Sequence, residues 1–200
     1  MNANECMEEI QRKLASLTES PLYAYRIQHA YTPVVGDGSL QASIMFVGEA
    51  PGEKEALSGA PFCGRSGALL NELLGHIDLT REDVYITNLV KDRPEDNRDP
   101  TQEEIALYGP FLDQQIEAIK PRVIVMLGRL SMKYIFSRYA SHEVIQPISD
   151  MHGRSYTGRT SYGEVVLLPL YHPAAGLYNP GLRPVLYEDI ERLVPFMQSS

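Results

Sequence analysis

The sequence predicts an α/β protein, a three-layer α/β/α sandwich with a short, mainly parallel central sheet. Apolar runs typical of strands alternate along the chain with segments whose apolar residues have helical spacing. The strand-like runs are continuously apolar, as expected for parallel strands that helices cover on both faces. A length of 200 residues with 44% hydrophobic residues fits one compact domain over residues 1–200.

Four apolar runs predict the strands. They are residues 43–47, 83–90, 123–128 and 164–173. Apolar residues three or four positions apart predict the covering helices, which are residues 4–17, 66–77, 129–136 and 182–193. A further helix begins at Thr101, where the sequence TQEE places Glu104 to complete a capping box. Pro110 lies inside this helix, and we expect it to cause a kink.

Composition argues against several classes of protein. No apolar run approaches the roughly 20 residues that span a bilayer. Residues 1–17 carry charges throughout, so we expect no membrane anchor and no secretory signal, and we place the protein in the cytoplasm. Cys6 and Cys63 are the only cysteines, too few for a disulfide framework or a four-cysteine metal site. We expect Cys63 to be a small buried apolar residue.

The formal net charge of -8 argues against indiscriminate binding of nucleic acid. Nonspecific affinity for DNA arises mostly from Lys and Arg side chains that neutralise phosphates. A local basic segment contains Lys91, Arg93 and Arg98, but three acidic residues are interleaved with them. Charge patterning leaves two interpretations open, a phosphate-binding segment or a solvated loop.

Polar residues follow the predicted strands at the edge where parallel sheets bind their ligands. Gly48, Glu49 and Ala50 follow the first strand, Asn88 lies at the end of the second, and His172 follows the last. If these strands are neighbours, their loops converge on one crevice although they are far apart in the chain. The sequence therefore predicts a site that contains a carboxylate, an amide and an imidazole.

These residue types suit a planar heterocycle as ligand. The Asn88 amide offers a donor and an acceptor, and the His172 imidazole can donate to a carbonyl that gains negative charge. The nearby ring of Phe62 can stack on a flat ligand. Each residue alone has a structural alternative as a turn, cap or core residue. The chain lacks a P-loop, a GxGxxG fingerprint and zinc-ligand spacing, so we expect no metal site.

Three ordered stretches carry a more specific signal. They are MFVGEAPGEKEALSGAPFCGRSGALL, YITNLVKDRPEDNRDPTQEE and LPLYHPAAGLYNPGLRPVLYEDIERL, within residues 43–193. In order and spacing the chain resembles the uracil-DNA glycosylase superfamily, and within it the family 4 branch. The resemblance implies the same α/β/α sandwich and an enzyme of base-excision repair. Such an enzyme flips uracil out of DNA and hydrolyses its N-glycosidic bond, leaving an abasic site.

The resemblance also implies roles for individual residues. The uracil-binding residues would be Gly48, Glu49, Ala50, Phe62, Asn88 and His172. Glu49 would orient or activate the attacking water, and His172 would donate to the O2 region of the departing base. The candidate DNA contacts are Arg65, Lys91, Arg93, Leu177 and Arg183. Leu177 would fill the gap left by the flipped nucleotide or pack in the core, and the four cations would contact phosphates or be surface charges.

The sequence departs from the family 4 pattern, which typically includes a four-iron cluster on four cysteines. The four aligned positions hold Leu17, Ser20, Asp92 and Tyr108. We therefore expect no iron-sulfur cluster and no other cofactor, with packing of Leu17 and Tyr108 in its structural place. Gly52 stands where some branches of the superfamily have a tyrosine against the 5-methyl group of thymine. Exclusion of thymine must then come from another residue.

The partner that the resemblance implies is uracil-containing DNA, and we expect a monomer without an obligate protein partner. Two alternatives stay open. The missing cysteines and the acidic charge favour a non-catalytic module that binds damaged DNA or nucleotides. The scaffold also suits a glycosylase for another deaminated base, such as hypoxanthine or xanthine.

Overall fold

A six-stranded sheet forms the middle layer of the computed structural model, which describes residues 2–197. The strands are β1 (Asp37–Gly38), β2 (Ile44–Gly48), β3 (Tyr85–Asn88), β4 (Val123–Leu127), β5 (Tyr156–Thr160) and β6 (Gly163–Leu170). Their order across the sheet is β1-β3-β2-β4-β6-β5. The inner strands β3, β2, β4 and β6 are parallel, whereas β1 and β5 run antiparallel to their neighbours. The prediction of a mainly parallel sheet is confirmed.

Helices cover both faces of the sheet. They are α1 (Ala3–Ala15), α2 (Tyr23–Gln28), α3 (Glu53–Ser58), α4 (Arg65–His76), α5 (Gln102–Ile119), α6 (Arg129–Tyr139), α7 (Ile148–Met151), α8 (Ala174–Tyr178), α9 (Arg183–Ile190) and α10 (Val194–Met197). None of the helices in residues 2–197 combines the length and apolarity needed to cross a bilayer.

Two apolar cores lie on opposite faces of the sheet, because successive side chains of a strand point to opposite faces. Met45 and Ile124 pack in one core with residues of α1, α5 and α6. Phe46 and Val125 pack in the other core with residues of α4 and α9. This arrangement confirms the three-layer α/β/α sandwich. It also explains why β2 and β4 are apolar throughout, since both of their faces are buried.

The observed elements differ from the predicted ones mainly at the edges. The edge strands β1 and β5 and the short helix α2 were not predicted, because none of them has a strong apolar pattern. The capping box at Thr101 is confirmed: its Oγ1 accepts from the Glu104 N–H, and its own N–H donates to the Glu104 carboxylate at 2.8 Å. The α5 helix continues through Pro110.

Candidate active site

A pocket of about 510 Å³ lies beyond the carboxyl ends of the parallel strands. Glu49 and Ala50 line it directly after β2, Asn88 lines it at the end of β3, and His172 lines it after β6. Phe62 contributes from the segment before α4. The structure thus brings these predicted residues to one cavity. The lining residues that sequence reasoning missed are Pro51, Glu55, Ser66, Pro94, Asn97, Asp99, Ala174 and Tyr178.

The Asn88 side chain is a buried group without a hydrogen-bond partner for its acceptor. It is 2% exposed, and its Oδ1 makes no hydrogen bond within residues 2–197. Gly48 pairs with it across the sheet, and a Cβ at Gly48 would lie 2.3 Å from this oxygen and 2.7 Å from Phe62 Cζ. Buried polar atoms are almost always hydrogen-bonded, which makes this oxygen a candidate acceptor for a ligand. A side chain at Gly48 would therefore collide with the Asn88 amide and the Phe62 ring.

Phe62 is held in an unusual conformation at the pocket wall. Its φ of 50° lies in the left-handed region, which bulky residues rarely adopt. Arg81 fixes this backbone by donating to the carbonyl oxygens of Pro61 at 2.7 Å and Phe62 at 3.3 Å. Gly67 allows α4 to approach, since a Cβ there would lie 1.6 Å from the Phe62 oxygen. The Phe62 and His172 rings are stacked with their centroids 5.5 Å apart, so both occupy one wall.

His172 is a neutral hydrogen-bond donor at neutral pH. Burial lowers its pKa to about 4, although the nearby Glu55 carboxylate acts in the opposite direction. The main-chain N–H of Ala174 donates to His172 Nδ1 at 3.1 Å. Because Nδ1 accepts, the proton of the neutral ring is on Nε2.

Glu49 is a half-buried carboxylate that is oriented by the start of α6. Its Oε1 accepts from the Leu130 N–H at 2.9 Å. Gly128 makes room for this contact, because a Cβ there would lie 2.5 Å from the same oxygen. Burial raises the pKa of Glu49, and the hydrogen bond from Leu130 offsets part of this increase. A carboxylate with a raised pKa in a pocket has the properties of a general base.

Glu55 is a second carboxylate in the pocket, and no motif pointed to it. It lies on α3, and its Oε1 accepts from the Gly64 N–H at 2.7 Å. Its Oε2 lies beside Gly52, where a Cβ would be only 2.7 Å away. The carboxylate therefore occupies the space that a side chain at Gly52 would fill.

The prediction that Lys91 contacts DNA phosphate is wrong. Its side chain is completely buried, and its Nζ donates to Thr87 Oγ1 at 2.7 Å, the Asn88 carbonyl at 2.6 Å and Gln115 Oε1 at 2.6 Å. Burial lowers the pKa of Lys91 well below its usual value. The chain turns this side chain inward at the end of β3, a direction that charge patterning does not reveal.

Arg93 is also largely covered, with a side chain that is 9% exposed. Its guanidinium donates to the Tyr31 hydroxyl and to Asn97 Oδ1, the latter at 2.9 Å, and it lies 3.5 Å from Glu53. Because Asn97 lines the pocket, these contacts make Arg93 a support for the pocket wall.

The other candidate DNA contacts differ in exposure. Arg65 is exposed at the first position of α4, and Arg183 forms an ion pair with Glu72 at 2.7 Å. Leu177 is half-buried and packs against one of the two apolar cores. The next residue, Tyr178, is 86% exposed and lines the rim of the pocket. Of these two neighbours, Tyr178 is therefore the more exposed to solvent.

The residues at the aligned cysteine positions do not fit an iron-sulfur cluster. Such clusters are held by thiolates, whereas Leu17, Ser20, Asp92 and Tyr108 offer an alkyl group, two hydroxyls and a carboxylate. Within residues 2–197, no group of three or more His, Cys, Asp or Glu side chains is placed to hold a metal ion.

The two cysteines lie elsewhere. Cys6 is buried in the core, and Cys63 is exposed, with its Sγ 3.2 Å from Ser58 Oγ. The prediction of a buried Cys63 is therefore wrong, because the segment between α3 and α4 presents this side chain to solvent.

Fold and site together define an α/β/α protein whose pocket beyond the carboxyl ends of its parallel strands is lined by carboxylates, an amide, an imidazole and an aromatic ring. The chain belongs to the uracil DNA glycosylase superfamily, whose family model matches residues 35–192. It is 46% identical over 167 residues to the Type-4 uracil-DNA glycosylase of Saccharolobus solfataricus, covering 83% of this chain and 76% of that protein.

Two further relatives match almost the whole chain. Identity is 44% over 190 residues to the Type-4 uracil-DNA glycosylase of Sulfurisphaera tokodaii, with 94% of this chain and 84% of that protein covered. The chain is also 42% identical over 189 residues to the Type-4 uracil-DNA glycosylase of Archaeoglobus fulgidus, with 94% of this chain and 92% of that protein covered.

Proposed function

We propose that this chain is a uracil-DNA glycosylase, which hydrolyses the N-glycosidic bond of uracil in DNA and leaves an abasic site. The observation that carries this proposal is the buried, unpartnered Asn88 Oδ1 beside Gly48 and the Phe62 ring. Uracil presents an N3–H donor to such an acceptor, whereas cytosine presents a lone pair at N3. A buried acceptor that faces another acceptor is strongly unfavourable, so the same atom selects uracil over cytosine.

The bond-breaking step needs a donor where negative charge develops. Departure of the base leaves an oxocarbenium-like sugar and a uracil anion with charge on O2. His172 donates its Nε2–H to this oxygen, since Nδ1 already accepts from Ala174. One donor aimed at charge that appears only in the transition state contributes about 3 kcal/mol, or roughly a hundredfold in rate. No proton transfer from a cationic histidine is required.

Glu49 acts on the sugar side of the reaction. In its ionised form the carboxylate favours the sugar cation and orients the water that attacks it. The hydrogen bond from Leu130 engages Oε1, and Oε2 is the second oxygen of the carboxylate. We assign the water to this second oxygen.

Exclusion of thymine is assigned to Glu55. Its carboxylate fills the space beside Gly52, where a bulky side chain stands in some branches of the superfamily. A 5-methyl group directed at this carboxylate would desolvate it or break the hydrogen bond that it accepts from Gly64.

Few positively charged groups hold DNA at the pocket rim, in keeping with the acidic composition of the chain. We retain Arg65 and Arg183 as phosphate contacts and assign the gap-filling role to Tyr178. We further propose that the chain acts as a single domain and a monomer in the cytoplasm, without a cofactor.

Incubation with oligonucleotides that contain uracil, hypoxanthine or xanthine, followed by alkaline cleavage of abasic sites, tests the function. We expect cleavage of the uracil substrate, loss of cleavage in Asn88→Ala, and full activity in Asn4→Ala, an exposed control on α1. Absence of base release from single- and double-stranded uracil substrates would overturn the proposal. Saturable binding without release would instead assign a non-catalytic module.

A further inference from the structure

Four buried side chains, Ser20, Arg26, Asp92 and Tyr108, form one hydrogen-bonded network, called here the polar anchor. Arg26 donates to Asp92 Oδ2 at 2.8 Å, and the Tyr108 hydroxyl donates to the same oxygen at 2.5 Å. Ser20 Oγ lies 2.7 Å from the Tyr108 hydroxyl. The ion pair is almost completely buried, with side chains 3% and 1% exposed.

The hydrogen bonds of the polar anchor have a consistent direction. Tyr108 has one hydroxyl proton and gives it to Asp92, so it accepts from Ser20. Ser20 Oγ in turn accepts from the Leu22 N–H at 3.1 Å. Each hydroxyl therefore both donates and accepts, which strengthens a buried network. Both donors to Asp92 meet at Oδ2, and its Oδ1 has no hydrogen-bond partner within residues 2–197.

The polar anchor joins parts of the chain that are distant in sequence. Arg26 on α2 also donates to the carbonyl oxygens of Leu14 at 2.9 Å and Ala15 at 3.1 Å, which lie at the end of α1. Asp92 follows β3, and Tyr108 lies in α5. One network thus connects α1, α2, α5 and the segment after β3.

Asp92 directly precedes the segment 93–99, which provides Pro94, Asn97 and Asp99 to the pocket. Within this segment Asp96 and Asn97 have φ values of 53° and 54°, in the left-handed region. Residues other than glycine populate this region sparsely, so the conformation persists only where its surroundings hold it. On its far side the segment is held by Arg98, whose guanidinium donates to both Glu104 carboxylate oxygens.

We propose that the polar anchor takes the place of a metal cluster in this chain and holds the segment 93–99 in its pocket-lining conformation. Three of its four members occupy positions that align with cluster cysteines in the resembled family, and the fourth aligned residue, Leu17, packs in the core. The replacement is therefore an ion pair with two hydroxyls, in addition to the packing of Leu17 and Tyr108 in the core that the sequence led us to expect. Its hydrogen bonds require neither metal nor thiolate.

Metal analysis tests the first half of the proposal. The full chain is produced with added iron, purified without oxygen and analysed for iron and acid-labile sulfide. We expect no stoichiometric iron and no change of stability with a chelator or with air. Iron and sulfide in cluster stoichiometry would overturn the proposal. This result does not depend on whether the protein releases uracil.

Amide hydrogen exchange tests the second half of the proposal, that the polar anchor holds the segment 93–99. This test also does not depend on catalysis. In Tyr108→Phe we expect the protection factors of the amides of residues 95–98 to fall about tenfold relative to those of the amides of β4. The reason is that Asp92 loses a buried hydrogen-bond partner. Tyr139→Phe is the matched control, since its hydroxyl also donates to a carboxylate, Asp113, at 3.1 Å but lies outside the pocket. We expect this control to leave residues 95–98 unchanged.

A milder variant keeps the test decisive if Tyr108→Phe fails to fold. Ser20→Ala removes the contacts of Ser20 Oγ to the Tyr108 hydroxyl and the Leu22 N–H but leaves both donors to Asp92, so it should produce a smaller loss of protection in the same amides. Equal protection of residues 95–98 in the wild type, in the tested polar-anchor variant and in Tyr139→Phe would overturn the proposal.

Discussion

The main-chain N–H of Ala174 donates to Nδ1 of His172 at 3.1 Å, and this contact directs the ring proton to Nε2. The first prediction concerns that proton. His172→Ala should lower the single-turnover rate of uracil release about a hundredfold, because the donor to O2 is lost. His172→Gln should recover part of the rate, since its amide N–H₂ can reach a similar position. His142→Ala, which alters an exposed histidine, should match the wild type. Equal rates in all four proteins would remove His172 from the mechanism.

A second prediction follows from the raised pKa of Glu49. The carboxylate must be ionised to favour the sugar cation, so the rate should fall as the pH drops through this raised pKa. His172, with a pKa of about 4, should cause no change through neutral pH. Glu49→Gln should reduce the rate by about a hundredfold or more and abolish the acid limb.

The control for this measurement is Glu8→Gln, which alters an exposed carboxylate on α1 and should keep the pH profile of the wild type. All three proteins are compared at the same pH values. A Glu49→Gln protein that reacts as fast as the wild type would make Glu49 a structural part of the pocket.

The third prediction uses two glycines with opposite surroundings. Gly48→Ala should reduce uracil release about a hundredfold, because the new Cβ would lie 2.3 Å from Asn88 Oδ1 and displace it. Gly75 lies in α4, and no atom is within 4 Å of a Cβ at that position. Gly75→Ala should keep full activity and raise the free energy of unfolding by about 1 kcal/mol, measured with urea. Full activity of Gly48→Ala would contradict the position assigned to the base.

Glu55 provides a fourth prediction, on base selection. Glu55→Ala removes the carboxylate beside Gly52, so thymine should become a detectable substrate while uracil is still released. The measurement compares release from thymine- and uracil-containing oligonucleotides, with exposed Glu8→Ala as the control. Circular dichroism checks that loss of the contact to Gly64 has not altered the fold. Continued rejection of thymine by a folded variant would assign exclusion to another group.

The fifth prediction separates two neighbours on α8. Tyr178→Ala should lower activity on double-stranded DNA about tenfold and have less effect on single strands, where no gap in a stack must be filled. Leu177→Ala should mainly lower the thermal midpoint of unfolding, because this side chain packs against the core. The opposite pattern would return the gap-filling role to Leu177.

Several features of the site were predictable because they depend on local patterns. Continuous apolar runs predicted β2, β3, β4 and β6, and the residues that follow parallel strands necessarily meet at one edge of the sheet. This reasoning predicted that Glu49, Asn88 and His172 would lie close together. The predictions of an exposed Lys91 and a buried Cys63 were wrong, because the neighbouring residues in the sequence do not determine whether either side chain points into the protein or into solvent.

The fold class, the order of the main elements and the loops that form the pocket all follow from the amino-acid sequence, because periodicity and the geometry of parallel sheets specify them. The pairing of polar groups depends instead on tertiary packing. Packing placed Glu55 beside Gly52 and buried Lys91, and it joined Arg26, Asp92 and Tyr108 in one network. Arg26, Asp92 and Tyr108 are far apart in the chain, so their burial and hydrogen bonds arise only when the helices and strands assemble, and no local pattern encodes that assembly.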